Sequence, residues 1–362
     1  MTIKNEILRE FTENKQQTIT MISAKTGRTQ AEVADCLRLM RLEGLVEKTG
    51  RTEWTILSPT MTGETMDNPL IPKDVLHLDY DGTVSKLRKC YQMKINALLI
   101  GPAGVGKTSA IRKVGEMESV PMRTTNFSLR TREHHFMGRL DTRPDGTLYF
   151  KPGPLVLSMV EGGIWYADEL NQAEADSLVR TDEALDFRRM VEIEGEQFKA
   201  SDKFWSVASI NPLDRYHPGT KELPGQLLRR FPVRIFMGYP PPSTEFTIVK
   251  MHCPAVTDIT SRFIELIAAI NQMRESPDLP YHPTMSETIT LAQLLTSGIG
   301  EREAVTMTLI DVYSQWGSDT VLQVSQLLHS RLGIKFDKEE HKFPDPPSNS
   351  YIPTVKFSKA TP

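Results

Sequence analysis

Strand-length apolar runs alternate with helical patterns between residues 76 and 242, which predicts an α/β domain on a mostly parallel sheet. Two further observations complete the fold class. Residues 1 to about 58 carry three short helical patterns and then a pair of strand-like runs, and residues 243–335 carry helical patterns alone. The expected order is a small helix-and-hairpin domain, an α/β core and an all-helical domain.

In the first of these, Ile7, Leu8 and Phe11 space one helix, and Ile19, Met21 and Ile22 space a second that Gly27 ends. Thr29-Gln30-Ala31-Glu32 fits the box in which a Thr and a Glu three residues later cap each other's backbone, opening a third helix. Val33, Leu37 and Met40 recur at helical spacing along it until Gly44. Leu45–Lys48 and Thr52–Leu57 read as strands joined by Thr49-Gly50-Arg51. Three helices followed by a hairpin resemble a winged helix-turn-helix domain.

Residues 59–75, with Pro59, Gly63, Pro69 and Pro72, read as a linker. The core runs over 76–242, with expected strands at Ala97–Ile100, Gly163–Ala167, Phe204–Ile210 and Val233–Phe236. Pro240-Pro241-Pro242 stops the alternation. Helices are then expected near 244–252, 261–275, 287–297, 301–316 and 319–332, the last capped by Ser318-Asp319, in a domain spanning 243–335. Residues 336–362 hold five prolines and read as an extended tail.

Composition narrows the function classes. The chain has 362 residues, 39% hydrophobic and 25% charged, which excludes a largely disordered chain. With 43 Lys and Arg against 46 Asp and Glu, the net charge of −3 gives no support for bulk-charge binding to nucleic acid or an anionic membrane. Cys36, Cys90 and Cys253 are too scattered for a disulfide framework. The N-terminal residues contain no apolar leader, and no run approaches the ~20 apolar residues of a membrane helix. A cytoplasmic chain without a membrane partner is the expectation.

Three motifs carry chemistry. Gly101-Pro102-Ala103-Gly104-Val105-Gly106-Lys107-Thr108 fills every fixed position of GxxxxGK[ST], between a strand and a helix that begins at Ser109. Glycines let such a backbone wrap a phosphate with its N–H groups inward, and the helix N-terminus favours the anion. Residues 101–109, Ser109 included, form the expected ATP-binding set, with Lys107 on the β- and γ-phosphates and Thr108 on Mg²⁺. Gly163-Ile164-Trp165-Tyr166-Ala167-Asp168-Glu169 is an apolar strand ending in two carboxylates. Asp168 is the second expected Mg²⁺ group, and Glu169 the residue that polarises the attacking water. Phe204–Ile210 ends at Asn211-Pro212, from which Asn211 can orient that water. Last, Leu223–Pro232 contains Arg229-Arg230-Phe231. Arg230 at this place can reach a γ-phosphate held by a neighbouring subunit.

The ordered set GxxxxGKT, apolar-Asp-Glu, strand-Asn-Pro and Arg-Phe resembles the AAA+ P-loop ATPases. More narrowly it is similar to their MoxR branch, with the CbbQ/NorQ and gas-vesicle GvpN types. That likeness rests on His135–Leu140, Asp145–Phe150, Pro152-Gly153-Pro154-Leu155, Gly162–Asn171 and Gly238-Tyr239-Pro240, and spans roughly 75–333. It implies an ATP- and Mg²⁺-dependent hydrolase that assembles with itself into a ring, usually a hexamer. It also implies remodelling or maturation of a protein client, often with a von Willebrand A-domain partner. Segments 134–151 and 191–200 would form hairpins facing the ring's pore or its partner.

The chain departs from that family twice. His282–Thr288 lacks the Arg that usually opens a lid helix, leaving Arg302 as a weak substitute. Most relatives also lack an N-terminal domain. Residues 1–58 hold nine Lys and Arg and eight Asp and Glu, a net of +1. Arg28, Gln30, Arg38, Arg41, Lys48 and Arg51 could still line one face. The alternative to a protein client is therefore a DNA-acting motor or regulator that docks DNA through residues 1–58.

Overall fold

The computed structural model describes residues 6–7, 10, 16–42, 46–48, 53–56, 68–143, 146–193, 195–213 and 219–336. The chain divides into two compact units, Met1–Pro240 and Pro241–Pro362.

The first unit begins with β1 (Gln16–Thr18), α1 (Ile19–Thr26), α2 (Gln30–Leu42), β2 (Val46–Lys48) and β3 (Glu53–Ile56). Gly27 ends α1 in the left-handed region. The Thr29–Glu32 box forms: the Thr29 N–H donates to Glu32 Oε2 at 2.9 Å and the Glu32 N–H donates to Thr29 Oγ1 at 3.3 Å. β3 pairs antiparallel with both β2 and β1. Strand β1 was not expected, because Gln16-Gln17-Thr18 is polar and only its pairing with β3 defines it. Ile22, Val33, Leu37, Met40, Val46 and Trp54 close a small core beneath these elements. The expected first helix falls mostly outside the described residues, as do parts of the linker and the tail.

The α/β part follows. Its elements are α3 (Thr83–Met93), β4 (Ala97–Ile100), α4 (Lys107–Met117), β5 (Met122–Asn126), α5 (Glu133–Phe136), β6 (Gly138–Thr142), β7 (Leu148–Pro152) and α6 (Pro154–Glu161). Then come β8 (Ile164–Asp168), α7 (Thr181–Leu185), β9 (Met190–Ile193), β10 (Glu196–Lys199), β11 (Trp205–Ile210), α8 (Gly225–Arg230) and β12 (Val233–Phe236). Five strands form a parallel sheet in the order β12-β4-β11-β8-β5. Both faces are covered, so the strands read as continuous apolar runs. Leu98, Trp165 and Ala208 pack on one side, while Leu99, Tyr166 and Val207 pack on the other with Ile111 and Val114 of α4. Edge strand β5 escaped the sequence reading because Met122-Arg123-Thr124-Thr125-Asn126 carries a single aliphatic-type residue. The segments 134–151 and 191–200 do fold as hairpins, β6–β7 and β9–β10. Helix α2 lies against α6 and β7, and Arg143 donates to the Arg41 carbonyl at 3.3 Å.

The second unit contains α9 (Pro242–His252), α10 (Thr260–Glu275), α11 (Met285–Thr296), α12 (Glu301–Val305) and α13 (Ser318–Leu332), and no strand among the described residues. Two expectations change. Residues 301–316 are not one helix: α12 passes into a π-helical turn over Thr306–Ile310 and a 3-10 turn over Asp311–Trp316. The buried Ala304 and Leu309, and Val305 and Ile310, are five residues apart. That spacing suits the i to i+5 bonding of a π turn better than a 3.6-residue repeat. Nor does Ser318 cap α13. It is the first helical residue, and Gly317 at φ 94° precedes it without a side-chain cap.

Candidate functional site

All three chemistry-bearing motifs end at the C-terminal edge of neighbouring strands β4, β8 and β11. This is the edge where open parallel sheets bind ligands. The loop from Gly101 to Gly106 leaves β4 and turns into α4. A Cβ on Gly101 would lie 2.2 Å from the Met237 carbonyl oxygen, so no larger residue fits between β4 and the chain leaving β12. Gly106 sits at φ 95°, a conformation that L side chains avoid. Among the described residues the N–H groups of Gly104, Val105 and Gly106 donate to no acceptor. That concave run of free donors is the chemistry an anion needs.

Lys107 is buried, and its ammonium spends its three donors within the site. It donates to the carbonyls of Gly101 at 2.6 Å and Pro102 at 2.8 Å, and to Asn211 Oδ1 at 2.8 Å. Burial lowers its pKa to about 8, against the opposing pull of Asp168 and Glu169. Asn211, at 5% exposure, bridges onward: its Nδ2 donates to Glu169 Oε1 at 3.2 Å. Gln172 Nε2 holds the other Glu169 oxygen at 2.7 Å, and Asn171 Nδ2 holds the Asn211 carbonyl at 2.9 Å. Glu169 is left-handed at φ 55° and ψ 39°, a conformation that costs a non-glycine residue about 1–2 kcal/mol.

Asp168 and Thr108 are joined through two residues that lie inside the motif strands but carried no expected role. Tyr166 and Ser209 each donate to Asp168 Oδ1 at 2.6 Å, and Thr108 Oγ1 lies 3.1 Å from the Tyr166 hydroxyl. Burial, reinforced by the Asp168 charge, pushes the Tyr166 phenol far above its ordinary range, so it remains a donor. The signal for both was a period of two. Tyr166 stands two residues before Asp168 and Ser209 two before Asn211, on the same strand faces.

The remaining expected residues are placed as follows. Ser109 donates to the Gly106 carbonyl at 2.9 Å and meets His77 Nδ1 at 3.1 Å, so its hydroxyl is occupied within the loop's flank. Pro102 and Ala103 contribute carbonyls, to Lys107 and to the Tyr239 hydroxyl at 2.8 Å. Val105 packs its side chain into the core beneath the loop. Arg230 closes α8 and pairs with Asp182 of α7 at 3.2 Å, its side chain one-third exposed. Arg229 beside it is exposed. In the second unit Arg302 lies on α12, and Arg274 is buried and spent on Glu245.

With this geometry in place, residues 96–231 match the model of the AAA domain of the dynein-related subfamily. Over those residues the chain is similar to an AAA domain. Over 248 residues it is 27% identical to the denitrification regulatory protein NirQ of Stutzerimonas stutzeri, covering 68% of this chain and 88% of that one. NirQ of Pseudomonas aeruginosa is 28% identical over 233 residues, with 64% and 88% covered. A crystal structure of a chain assigned as an ATPase, from Cytophaga hutchinsonii, overlaps at a TM-score of 0.42 and 15% identity over 70% of this chain and 90% of that one. That overlap is loose. The AAA region spans β4 to the end of α8 and so contains the phosphate loop, the acidic strand, Asn211 and Arg230.

Proposed function

We propose that the chain is a Mg²⁺-dependent ATP hydrolase of the MoxR type, which assembles with itself into a hexameric ring and remodels or matures a protein client. The observation that carries this reading is the hydrogen-bonded chain Lys107–Asn211–Glu169, which ties the phosphate loop, the Asn-Pro strand and the acidic strand into one site.

In that site Lys107 would exchange its bonds to Gly101, Pro102 and Asn211 for the oxygens of the β- and γ-phosphates. The free N–H groups of Gly104, Val105 and Gly106 would hold the phosphates from the other side. Glu169, fixed between Gln172 and Asn211, would accept the proton of the attacking water, while Asn211 orients it. Thr108 and Asp168 offer the hard oxygen donors that Mg²⁺ prefers. Among the described residues no group of three His, Cys, Asp or Glu could cage a metal alone, which fits a cation shared with substrate phosphates. Bound there, the cation would neutralise charge on the phosphate oxygens. Arg230 would complete the site of the adjacent subunit, since its partly buried single-nitrogen contact with Asp182, at 3.2 Å, leaves the rest of the guanidinium to be exchanged onto a phosphate.

The α2 helix supports a protein client over DNA. Asp35 is half-buried there, and burial raises its pKa against the pull of Arg38 and Lys199. Glu32, held below the usual carboxylate range by its hydrogen bonds from Thr29, also feels the charges of Arg28 and Lys203. The helix lies against α6 and β7, and its exposed Arg38 is paired with its own Asp35 at 3.4 Å, so its charges are partly neutralised where duplex DNA requires a free basic face. The relatives named as regulatory proteins accord with an ATPase acting on another macromolecule. No described helix is long and apolar enough to cross a membrane.

The test is turnover. Purified wild-type chain should hydrolyse ATP in Mg²⁺, and Glu169→Gln should lose at least 100-fold while keeping nucleotide affinity and trapping clients in pull-downs. Wild type without turnover would sink the reading.

A further inference from the structure

Tyr166 has no assigned role in the acidic-strand motif that contains it, yet its hydroxyl lies where the three motifs meet. The ring is fully buried on β8, two residues before Asp168 and on the same strand face. The hydroxyl stands 2.6 Å from Asp168 Oδ1, 3.0 Å from Ser209 Oγ and 3.1 Å from Thr108 Oγ1. Ser209 Oγ is also 2.6 Å from Asp168 Oδ1. Two hydroxyls therefore converge on one carboxylate oxygen, and no hydrogen bond reaches Asp168 Oδ2 among the described residues.

We propose that Tyr166 is a positioning residue for the divalent cation that accompanies the nucleotide: its hydroxyl fixes the Asp168 carboxylate and links it to Thr108, leaving Oδ2 turned free as an oxygen ligand. The inference rests on the ATPase reading. Its physical basis is preorganisation. A carboxylate already held in one rotamer has less freedom to lose when the cation arrives. Residues that orient a metal ligand through hydrogen bonds typically contribute about 10- to 100-fold in metal affinity. Ser209 supplies a second anchor to the same oxygen, so loss of the tyrosine hydroxyl should loosen Asp168 without releasing it. Thr108 loses its only hydroxyl partner among the described residues at the same time.

The experiment uses the full chain, with mant-ATP as the nucleotide and Mn²⁺ as the spin-active cation. Tyr166→Phe keeps the ring and removes one oxygen. The expected result is mant-ATP affinity in EDTA within about twofold of wild type, with Mn²⁺ affinity of the nucleotide complex weakened about 10- to 100-fold by electron paramagnetic resonance. Ser209→Ala should move Mn²⁺ affinity the same way. If wild type binds Mn²⁺·mant-ATP and Tyr166→Phe binds Mn²⁺ as tightly, the positioning role is wrong and the ATPase reading stands. If Tyr166→Phe loses mant-ATP in EDTA too, the tyrosine is a structural support and the proposal fails. If wild type binds no nucleotide, both readings fail.

Discussion

Lys107 donates to Asn211 Oδ1 at 2.8 Å, so the ammonium proposed to bind phosphate is held by the residue proposed to orient water. Asn211 is thus a competitor for Lys107 as well as a partner of Glu169. Asn211→Ala should lower turnover by about 100-fold, in the range of losing a water-orienting donor. Nucleotide affinity should be unchanged or slightly tighter, because Lys107 gives up one fewer bond. Single-turnover kinetics with a separate binding titration will read both effects; weaker binding would contradict the competition.

Burial holds the Lys107 pKa at about 8, against 10.5 for an ordinary lysine. Between those values the unfolded chain keeps a proton that the folded chain has released. From this group alone, stability rises with pH across that window. Phosphate favours the ammonium, so nucleotide binding above pH 8 should take up a fraction of a proton, and almost none at pH 7. Calorimetry in two buffers of different ionisation enthalpy measures the uptake. Equal heats at about pH 8.5 after correction would show that Lys107 is charged throughout.

Arg230 and Arg229 are adjacent but differently placed, the first paired with Asp182 and the second exposed. Arg230→Ala should reduce ATP turnover by about a thousandfold with little change in nucleotide affinity, the signature of a group acting on transition-state charge. Arg229→Ala should change turnover by less than about threefold, below what loss of one transition-state contact costs. A phosphate-release assay on both variants decides between them.

Within the second unit, Glu245 is fully buried and Arg274 binds it through two nitrogens at 2.7 and 3.0 Å. The same guanidinium holds Thr288 and the Pro283 carbonyl. Arg274→Met would strand a buried carboxylate and should cost about 3–5 kcal/mol. Glu245→Gln with Arg274→Met together should recover part of the loss. Thermal denaturation of the full chain and of both variants provides the measurement.

Asp35 and Glu32 of α2 feel the charges of Lys199 and Lys203, and α2 lies against α6 and β7. Asp35→Lys should loosen that contact and raise the protease sensitivity of residues 1–56, and Lys199→Glu in the same chain should restore protection. Duplex DNA at about 150 mM salt should give no gel shift, because a near-neutral surface releases few counterions. A salt-sensitive shift lost on substitution of Arg38 and Arg41 would favour the DNA alternative.

The α/β fold and the site were legible to different degrees for identifiable reasons. Buried parallel strands announce themselves as apolar runs, and β4, β8, β11 and β12 were readable for that reason. Edge strand β5 and the short β1 were not, because pairing partners, rather than their own residues, make them strands. Lys107, Thr108, Asp168, Glu169 and Asn211 were found by motif and do converge. Tyr166 and Ser209 were hidden inside strands where an apolar run masks single hydroxyls.

The left-handed backbone at Glu169 has a consequence for how two neighbouring acids share one reaction. Along a strand, consecutive side chains leave on opposite faces, so Asp168 and Glu169 would be separated by the sheet itself. The positive φ at Glu169 follows the end of the strand, and its carboxylate meets Asn211, just past the end of the neighbouring β11. The division of labour between adjacent carboxylates is thus written in the backbone. Glu169→Gly should relieve the conformational cost and yield a chain that melts higher and turns over no ATP, so that durability and the proposed chemistry pull residue 169 in opposite directions.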